Sequence, residues 1–335
     1  MQVDNKIDFD NTDNRILIDW FSFTSKIDSP QSIIDLMGLV GVKFTECNGA
    51  QGYRNRLAFD GINIHYNHRI NEGIWVEMSG KGCRAFESYS LTDFNHLIHY
   101  ILDSRLDSRK DYNITRVDIA YDSFNGVIPI NQFAKDVLNQ NFVSKFSDKS
   151  MLVTCSAGRV GYTIDCGSRH SDVRFRCYDK AYERGYLPED NVSWIRFEIQ
   201  LRDDRALNFL SLVDSDNLGI LFSGVVSNYL RVVRPSLDSN KSRWPVKKWW
   251  IDFLHSSERI SIFTKCDVDY NLEKCEDYVY HQCGNALDTL LSLKGVDSVL
   301  HELKSRKPDR SEKYLKIIND NGGNIIDYLR EREAL

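Results

Sequence analysis

The sequence predicts an α+β protein in which helices cover one face of an antiparallel or mixed β-sheet and the other face stays open and polar. Three observations support this class. The predicted elements follow the order strand, helix, strands, helix, strand, helix, strands. Short links join several of the strands, which suits antiparallel pairing. No glycine-rich phosphate loop opens a helix, so a dinucleotide or nucleoside-triphosphate fold has no motif support.

Apolar strands and amphipathic helices alternate through residues 14–205. The apolar stretch 15–23 predicts the first strand, and Ser29 with Pro30 supplies an N-cap and a first-turn proline for the first helix. Helical spacing of apolar residues predicts helices at 92–106 and 131–138. Short apolar or alternating runs between turn residues predict further strands at 42–47, 57–59, 62–66, 74–78, 112–122, 152–153, 162–166, 172–180 and 192–202.

The two ends of the chain differ from this central region. Residues 1–13 are polar and acidic and are predicted to be a disordered arm. From about residue 205 the apolar spacing becomes helical, and the tail from 276 reads as helices broken at Lys307-Pro308 and Gly322-Gly323. The sequence therefore predicts a strand-rich domain at 14–205 and a mostly helical C-terminal region at 206–335.

Composition limits the classes of function. The formal net charge of −5 excludes a globally basic nucleic-acid binder but leaves room for a locally basic one. No run approaches the 18 or so apolar residues of a membrane span. The acidic N-terminus is no secretory signal, so a cytoplasmic protein without a membrane partner is expected. None of the eight cysteines forms a Cys-x-x-Cys pair, which indicates reduced thiols rather than a zinc site.

Three predicted strands share an alternating pattern that separates an apolar face from a polar one. The polar positions carry carboxylates, cations and a tyrosine: Arg116, Asp118 and Asp122 on one strand, Arg174, Arg176, Tyr178 and Lys180 on another, and Arg196, Glu198, Gln200 and Arg202 on the third. A fourth strand adds Glu77 between Trp75 and Ser79. From this spacing alone, a solvated sheet face with no chemistry is the favoured interpretation.

The alternative is a catalytic face. If these strands are neighbours, about 4.8 Å apart, then Asp118 and Glu198, with Asp122 or Glu77, converge on one divalent cation. Oxygen ligands suit Mg²⁺ or Mn²⁺. The surrounding cations Arg174, Arg176 and Lys180 are expected to lower the pKa of Tyr178. Such a tyrosine attacks a phosphodiester and becomes covalently bound.

Four ordered motifs resemble the Rep_trans group of rolling-circle replication initiators of plasmids and phages, together with related relaxases of conjugative elements. The motifs are DWFSFT at 19–24, EMSGKGCR at 77–84, RVDIAYD at 116–122, and GSRHSDVRFRCYDK at 167–180 followed by WIRFEIQLR at 194–202. The resemblance covers about residues 15–205. It identifies 14–205 as a nicking domain and 206–335 as the region of DNA recognition.

The resemblance implies site-specific nicking and rejoining of one DNA strand at an origin, through a 5′-phosphotyrosyl intermediate and with a divalent metal. The nucleophile carries over to Tyr178, with Tyr182 as second choice, and Asp118 and Glu198 carry over as metal ligands. Which of Asp118, Asp122, Glu198, Glu77 and Asp19 bind the metal stays open. No histidine pair has the His-x-His spacing of the larger nickase class. Origin DNA, a helicase and a second copy of the chain are the implied partners.

Two further segments are candidates for DNA contact. The turn at 80–82 places Lys81 and Arg84 where they could clamp a phosphate, or it is a plain glycine turn. The segment 231–250 holds six Lys or Arg against one acid, with tryptophans between them. Those tryptophans either stack on bases or belong to a core. The candidate residues are Lys81, Arg84, Arg196, Arg231, Arg234, Lys241, Arg243, Trp244, Lys247, Lys248 and Trp249.

Three functions remain open at this point: a nicking-closing enzyme, a sequence-specific DNA-binding regulator with an inactive sheet, and an unrelated metal-dependent nuclease that activates water. The role of Tyr178 separates them, because only the first needs its hydroxyl for nicking.

Overall fold

A computed structural model describes residues 13–26, 28–70, 73–106, 112–147, 149–156, 159–214, 217–258, 272, 276, 279–280 and 284–305. The described strands are β1 Arg15–Ser25, β2 Thr45–Asn48, β3 Tyr53–Phe59, β4 Ile62–His68, β5 Ile74–Met78, β6 Tyr112–Ser123, β7 Phe142–Ser144, β8 Lys149–Ser156, β9 Arg159–Cys166, β10 Val173–Asp179, β11 Ile195–Arg202 and β12 Leu230–Val232. The described α-helices are α1 Pro30–Leu36, α2 Gly80–Tyr89, α3 Phe94–Leu106, α4 Ile130–Leu138, α5 Lys180–Glu183, α6 Asp203–Leu210, α7 Leu218–Tyr229, α8 Lys248–Glu258, α9 Gly284–Lys294 and α10 Val296–Ser305.

Contacts between residues divide the chain into two compact units. The first comprises Met1–Gly38 and Thr45–Cys266, and it holds β1–β12 and α1–α8. The second comprises Leu39–Phe44 and Asp267–Leu335, and its described part contains α9 and α10. The predicted division assigns nicking to residues 14–205 and DNA recognition to residues 206–335. It is a division by function and stays a prediction. Residues 1–12 of the predicted arm at 1–13, and the predicted breaks at 307–308 and 322–323, lie outside the described residues.

Ten strands form one antiparallel sheet in the order β2-β3-β4-β5-β1-β6-β11-β10-β9-β8, while β12 pairs with β7 separately. The central register sets Ile119 of β6 opposite Ile199 of β11. It also sets Phe175 of β10 opposite Ile199. Residues opposite each other project to the same face, so the apolar positions of all three strands lie together. The predicted α+β class, with its helices on one face, is confirmed.

Aromatic side chains fill the layer between the apolar face and the helices. Phe197 of β11 lies 6.1 Å from Phe222 of α7, 5.2 Å from Phe253 of α8 and 6.1 Å from Trp250, measured between ring centroids. All four of these rings are buried. Large buried aromatic side chains dominate the energy of a core. Packing of α7 and α8 against the apolar face therefore stabilises the sheet, and the opposite, polar face stays open.

One predicted turn is a helix in the structure. Residues 80–82 form the first turn of α2, where the Ser79 hydroxyl accepts a hydrogen bond from the Gly82 N–H. Glycine has a low intrinsic helix propensity, but packing requires it here: a Cβ on Gly82 would lie 2.2 Å from the Gly61 carbonyl oxygen. Tertiary contact therefore overrides local propensity. None of the described helices is both long and apolar enough to cross a membrane.

Candidate active site

The open face of β6, β11 and β10 brings the predicted chemical groups together. Tyr178 lies opposite Arg196, and Arg176 lies opposite Glu198, in the β10–β11 pair. Arg196 in turn lies opposite Asp122 of β6. The polar pattern that the sequence shows on three separate segments therefore becomes one continuous surface.

Tyr178 is nearly buried, and its hydroxyl is directed at a carboxylate. The hydroxyl donates a 2.5 Å hydrogen bond to Glu198 Oε1, and it accepts a 3.4 Å hydrogen bond from Lys180 Nζ. Burial, followed by the negative charge of Glu198, raises the pKa of Tyr178 above its usual range, although Arg196 acts in the opposite direction. The expectation that neighbouring cations lower this pKa is therefore wrong, because desolvation and the carboxylate outweigh them.

Glu198 is held in an environment that disfavours its charge. Burial, and then the nearby Asp19 carboxylate, raise the pKa of Glu198 to about 7. Arg176 offers partial compensation, with its Nη1 at 3.8 Å from Glu198 Oε2. A carboxylate poised near neutral pH and bonded to a hydroxyl has the properties of a general base.

Lys180 begins α5, the short helix that follows β10. Its ammonium lies 3.0 Å from both carboxylate oxygens of Glu183. Burial and the positive charge of Arg196 lower the pKa of Lys180. Hydrogen bonds from the Lys180 and Ala181 N–H groups to the Trp194 carbonyl oxygen fix the start of the helix against the chain that leads into β11.

Asp122 and Arg196 form the buried base of the site. Asp122 receives hydrogen bonds from Arg15 Nε at 2.9 Å and from Arg196 at 2.6 and 2.8 Å. Burial alone would raise the pKa of Asp122, but the two guanidinium groups, Arg196 above all, lower it well below its usual range. Asp122 is fully buried, so its oxygens are committed to this ion pair rather than presented to solvent. Arg196 is also buried, and it is not at a surface that DNA could reach directly.

A β-bulge adds an acid that the alternating pattern hides. The register of β1 against β6 shifts between Ile18 and Trp20, which places Asp19 on the polar face. The Asp19 carboxylate lies 2.8 Å from Arg196 Nη1. It also rests against the start of α2, where a Cβ on Gly80 would lie 2.8 Å from its Oδ1. Sequence alternation misplaces such a residue, and only the DWFSFT resemblance points to it.

Asp118 lies on the same face and is paired along its own strand. Arg116 donates hydrogen bonds of 2.8 and 2.5 Å to the two Asp118 oxygens. Burial raises the pKa of Asp118, and the charge of Asp19 adds to this effect, while Arg116 opposes it. The Arg116 guanidinium also lies 4.2 Å from the Trp20 ring centroid.

Glu77 lies at a distance from this cluster. It is opposite Ser22 of β1, and both β1 and β6 separate β5 from β11 in the sheet. Its Oε1 is 3.8 Å from Nε2 of the buried His65. The structure therefore does not bring Glu77 together with Glu198. Among the described residues no group of three or more His, Cys, Asp or Glu side chains is arranged to hold a metal ion.

Arg176 and Tyr182 line one pocket together with Tyr178, whereas Arg174 lies further along β10, opposite Gln200. Arg174 donates a 2.5 Å hydrogen bond to Asp165 of β9, and Arg176 Nε lies 3.4 Å from the same oxygen. Tyr182 follows on α5, where its N–H donates to Asp179 Oδ1 at 2.8 Å. Sequence reasoning missed Asp165, although β9 alternates Thr163 and Asp165 with the apolar Ile164 and Cys166, and this alternation is the signal that could have found it.

The two cations near α2 already have protein partners. Lys81 is largely exposed and forms an ion pair with Asp60. Arg84 donates to the Ile18 carbonyl oxygen at 2.8 Å and to Glu87 at 2.6 Å. Arg84 therefore fastens α2 to β1, whereas Lys81 remains at the surface.

The segment 231–250 does not form one aromatic surface. Trp250 is fully buried, and Trp249 packs 5.5 Å from Phe133. Trp244 donates its indole N–H to the Asp238 carbonyl oxygen at 2.6 Å. The sequence left open whether these tryptophans stack on bases or belong to a core, and Trp250 belongs to the core.

The cations of this segment differ in their surroundings. Lys247 reaches 2.5 Å from the buried Asp136 carboxylate, which makes it part of the fold. Arg243 and Lys248 have side chains 66 % and 87 % exposed. Arg234 is exposed as well. Arg231 and Lys241 donate to the carbonyl oxygens of Ser242 and Gln140 respectively.

Comparison with known proteins places this architecture in a family. The model of the Rep_trans family, described as replication initiation factor, matches residues 112–304. A second model, the rolling circle replication initiation protein N-terminal domain, matches residues 15–101. The chain belongs to the replication initiation factor family, as the motifs indicated.

Two particular relatives share most of the chain. A putative DNA relaxase, NicK, from Bacillus subtilis (strain 168) is 26 % identical over 253 residues, covering 73 % of this chain and 71 % of the relaxase. The structure of a rolling circle replication initiator protein from Geobacillus stearothermophilus is similar with a TM-score of 0.67 and 30 % identity, covering 74 % of this chain and 98 % of that one.

Proposed function

We propose that this chain nicks and rejoins one strand of origin DNA, using Tyr178 as the nucleophile. The observation that carries the proposal is the 2.5 Å hydrogen bond from the Tyr178 hydroxyl to Glu198, with Lys180 Nζ 3.4 Å from the same hydroxyl. A phenol whose pKa is raised is not ionised in advance. It therefore needs a base that removes its proton as the bond to phosphorus forms, and Glu198 is in position to do so.

The proposed step conserves atoms and charge. Tyr178 Oη attacks the phosphorus of the scissile phosphodiester while its proton passes to Glu198. The bond between phosphorus and the 3′ oxygen breaks, and that oxygen leaves as a hydroxyl after taking a proton from water, while the proton released by Glu198 neutralises the hydroxide that forms. The 5′ phosphate remains on Tyr178. Lys180 Nζ lies 3.4 Å from the reacting oxygen and the Arg176 guanidinium lies 5.3 Å from the Tyr178 ring centroid, and both would stabilise the negative charge that develops there. Attack by a 3′ hydroxyl on the phosphotyrosine reverses the step and closes the strand.

The oxygen donors of the site are of the kind that a hard divalent cation prefers, although the described residues do not bring three such side chains together around one point. Asp19, Asp118 and Glu198 offer carboxylate oxygens on one face, and burial with repulsion from Asp19 raises the pKa of the other two. Mg²⁺ is usually held by one or two carboxylates, with water and substrate phosphate completing its shell. We propose Asp118 and Glu198, with Asp19, as the residues that hold Mg²⁺ or Mn²⁺; unlike the fully buried Asp122, Asp118 keeps some exposure, and the ion would compete with Arg116 for its two oxygens. When bound, the ion would draw charge from the phosphoryl oxygens.

Two of the predicted metal ligands, Asp122 and Glu77, are not among the residues proposed to hold the ion. The oxygens of Asp122 are engaged by Arg15 and Arg196 inside the sheet. Glu77 lies beyond β1, on the far side of β6 from Glu198. Their proposed roles are structural: Asp122 holds Arg196 beneath Tyr178, and Glu77 neighbours His65.

Recognition of the origin is proposed for the exposed cations. Lys81, Arg234, Arg243 and Lys248 are placed to contact phosphates, and residues 206–335 contribute to the choice of site. A homodimer and a helicase partner remain part of the proposal, tested by light scattering and by pull-down with the replicon's helicase. Because the two relatives are named as a relaxase and as an initiator, the proposal is confined to the nicking step that both activities need. We also propose a cytoplasmic location, because replicon DNA is the proposed substrate.

The test is covalent trapping on single-stranded oligonucleotides tiled across the replicon that encodes the chain. We expect a denaturation-resistant adduct with the wild-type protein and with Tyr182→Phe, and none with Tyr178→Phe. The matched control is Tyr66→Phe, because the Tyr66 hydroxyl also donates to a glutamate, Glu46, at 2.7 Å, but on the exposed part of β4. That control leaves the adduct unchanged.

The other outcomes separate the competing functions. Nicking that persists in Tyr178→Phe without an adduct would indicate a nuclease that activates water. Sequence-specific binding without any nicking in the wild type would indicate a regulator. Loss of the adduct only in Tyr182→Phe would move the nucleophile to the second tyrosine. Activity in excess EDTA would contradict the proposed metal.

A further inference from the structure

A pocket opens directly beside Tyr178. Its volume is about 260 Å³, and its lining includes Gly161 and Thr163 of β9, Arg176 and Tyr178 of β10, and Tyr182 and Glu183 of α5. Pockets for drug-sized ligands occupy about 300–1,000 Å³. This pocket has room for a group smaller than a drug-sized ligand, and its lining includes the residue proposed to attack DNA.

The Tyr182 ring forms a fixed wall of this pocket. A Cβ placed on Gly161 would lie 2.7 Å from both Cγ and Cδ1 of Tyr182 and 3.1 Å from Cδ2. The ring therefore lies over the Gly161 backbone, in a space that only glycine leaves free. The hydrogen bond from the Tyr182 N–H to Asp179 Oδ1, at 2.8 Å, fixes the start of α5 beneath it. A ring held in this way loses little rotational freedom when another ring stacks on it.

The polar groups of the pocket suit the edge of a base. Thr163 supplies a hydroxyl that can donate or accept a hydrogen bond, and Glu183 supplies carboxylate oxygens that accept. The Glu183 side chain is 52 % exposed and is held by Lys180. Arg176, with its side chain 41 % exposed, adds a cation near the rim. Stacking walls with hydrogen-bonding groups at the edge are how proteins hold a base taken out of its helix.

We propose that this pocket binds one unpaired nucleobase adjacent to the scissile phosphate, with Tyr182 as the stacking platform. The inference rests on the proposed function, since it assigns a part of the DNA substrate to a part of that site. Base stacking beside Tyr178 would orient the phosphate for attack. It also requires the nick site to be single-stranded or extruded, because a paired base cannot enter a pocket of this size.

The test measures base stacking without cleavage. In a Tyr178→Phe background, 2-aminopurine is placed on either side of the mapped nick in a single-stranded oligonucleotide. Stacking quenches its fluorescence. We expect quenching at one of the two positions, and its loss in Tyr182→Leu but not in Tyr182→Phe. Base–aromatic stacking is worth about 1–3 kcal/mol. The affinity for the oligonucleotide should therefore fall about 5- to 150-fold with Tyr182→Leu.

A second variant closes the pocket without removing a chemical group. Gly161→Ala would push the Tyr182 ring out of its place, and we expect the same loss of quenching. Gly224→Ala on α7 is the matched control, because a Cβ there meets nothing within 4 Å, and it should leave the quenching intact.

An abasic nucleotide at the quenched position separates this proposal from the proposed function. It should make oligonucleotide affinity the same for Tyr182→Leu and for the protein with Tyr182 intact. If neither position is quenched while the wild type still forms the Tyr178 adduct, the pocket proposal is overturned and the nicking proposal stands. If no adduct forms on any oligonucleotide, the proposed function fails, and with it the inference.

Discussion

The face around Tyr178 and the segment 231–250 both mix aromatic side chains with cations, but the structure uses them in opposite ways. Around Tyr178 the charged groups are buried and face one another: Lys180, Arg196 and Glu198 are each 7 % exposed or less. In the segment 231–250, the aromatic Trp250 is buried, whereas Lys248 lies in solvent with 87 % of its side chain exposed.

The difference shows that burial, rather than a composition rich in aromatic and basic residues, decides whether a region can support chemistry. Charges that are removed from water interact strongly, so they shift one another's pKa values and can support chemistry. Charges that remain in water interact weakly with their neighbours and are screened by salt. The first region is therefore the candidate for catalysis, and the second contributes a packed core with exposed cations at its surface, of which Arg243 and Lys248 form ion pairs with Asp238 and Asp252.

The largest effect should come from replacing Glu198 in the buried region. We expect Glu198→Gln to lower the rate of adduct formation at saturating Mn²⁺ by about 10²- to 10⁴-fold, because the phenol of Tyr178 loses the base that accepts its proton. The measurement is single-turnover nicking of the mapped oligonucleotide. Glu46→Gln removes the acceptor of the exposed Tyr66 hydroxyl and should leave the rate within twofold. Equal effects of the two changes would contradict the role assigned to Glu198.

The next effect concerns the buried tryptophan of the second region. Trp250→Ala should lower the free energy of unfolding by about 3–5 kcal/mol, because it empties the space between Phe133, Phe197 and Phe253. Urea unfolding measures this change. Trp244→Ala, at a half-buried position, should cost about 1 kcal/mol. If instead Trp250→Ala unfolds normally but binds DNA poorly, Trp250 contacts bases and the core assignment is wrong.

The sequence predicted the sheet face but not its geometry. Alternation in β6, β10 and β11 is a local property, so the side on which Asp118, Tyr178 and Glu198 lie could be read from the sequence. Strand order and register depend on contacts between distant segments. From the sequence, Glu77 was therefore as good a further ligand beside Asp118 and Glu198 as Asp122 was, although two strands separate β5 from β11.

Two features of the site, the position of Asp19 and the pKa of Tyr178, could not be predicted from local sequence patterns. The β-bulge that turns Asp19 onto the polar face breaks the alternation that sequence reasoning relies on. The pKa of Tyr178 depends on how much water reaches it, and the sequence shows the nearby cations but not the burial that outweighs them. The same limitation applies to Trp250, whose position in the core depends on how α8 packs.

A smaller effect links pH to the stability of the buried region. The pKa of Glu198 is raised to about 7, so its contribution to stability is complete at acid pH and is lost as the pH rises through 7. In EDTA we expect the melting temperature to fall by about 3–6 °C between pH 6 and pH 8. Because a metal binds the ionised carboxylate, Mn²⁺ should stabilise the protein more at pH 8 than at pH 6.

The control for this linkage is the uncharged isostere. Glu198→Gln should show a flatter melting temperature between pH 6 and pH 8 and a reduced response to Mn²⁺. A full Mn²⁺ response in that variant would remove Glu198 from the proposed ligands. A melting temperature that rises with pH in the wild type would contradict the raised pKa.

The smallest effect belongs to the exposed cations of the second region, and it distinguishes surface charge from structural charge. We expect the double change Arg243→Gln and Lys248→Gln to leave the unfolding free energy within about 0.5 kcal/mol. It should reduce the slope of log Kd against log salt concentration by about one unit per cation.

Lys247→Gln is the control for a structural charge, because its ammonium lies 2.5 Å from the buried Asp136 carboxylate. This change should lower the free energy of unfolding and leave the salt slope constant. Binding titrations at several salt concentrations, with urea unfolding of the same proteins, separate the two results. A salt slope that responds to Lys247 but not to Arg243 and Lys248 would place the DNA on a different surface.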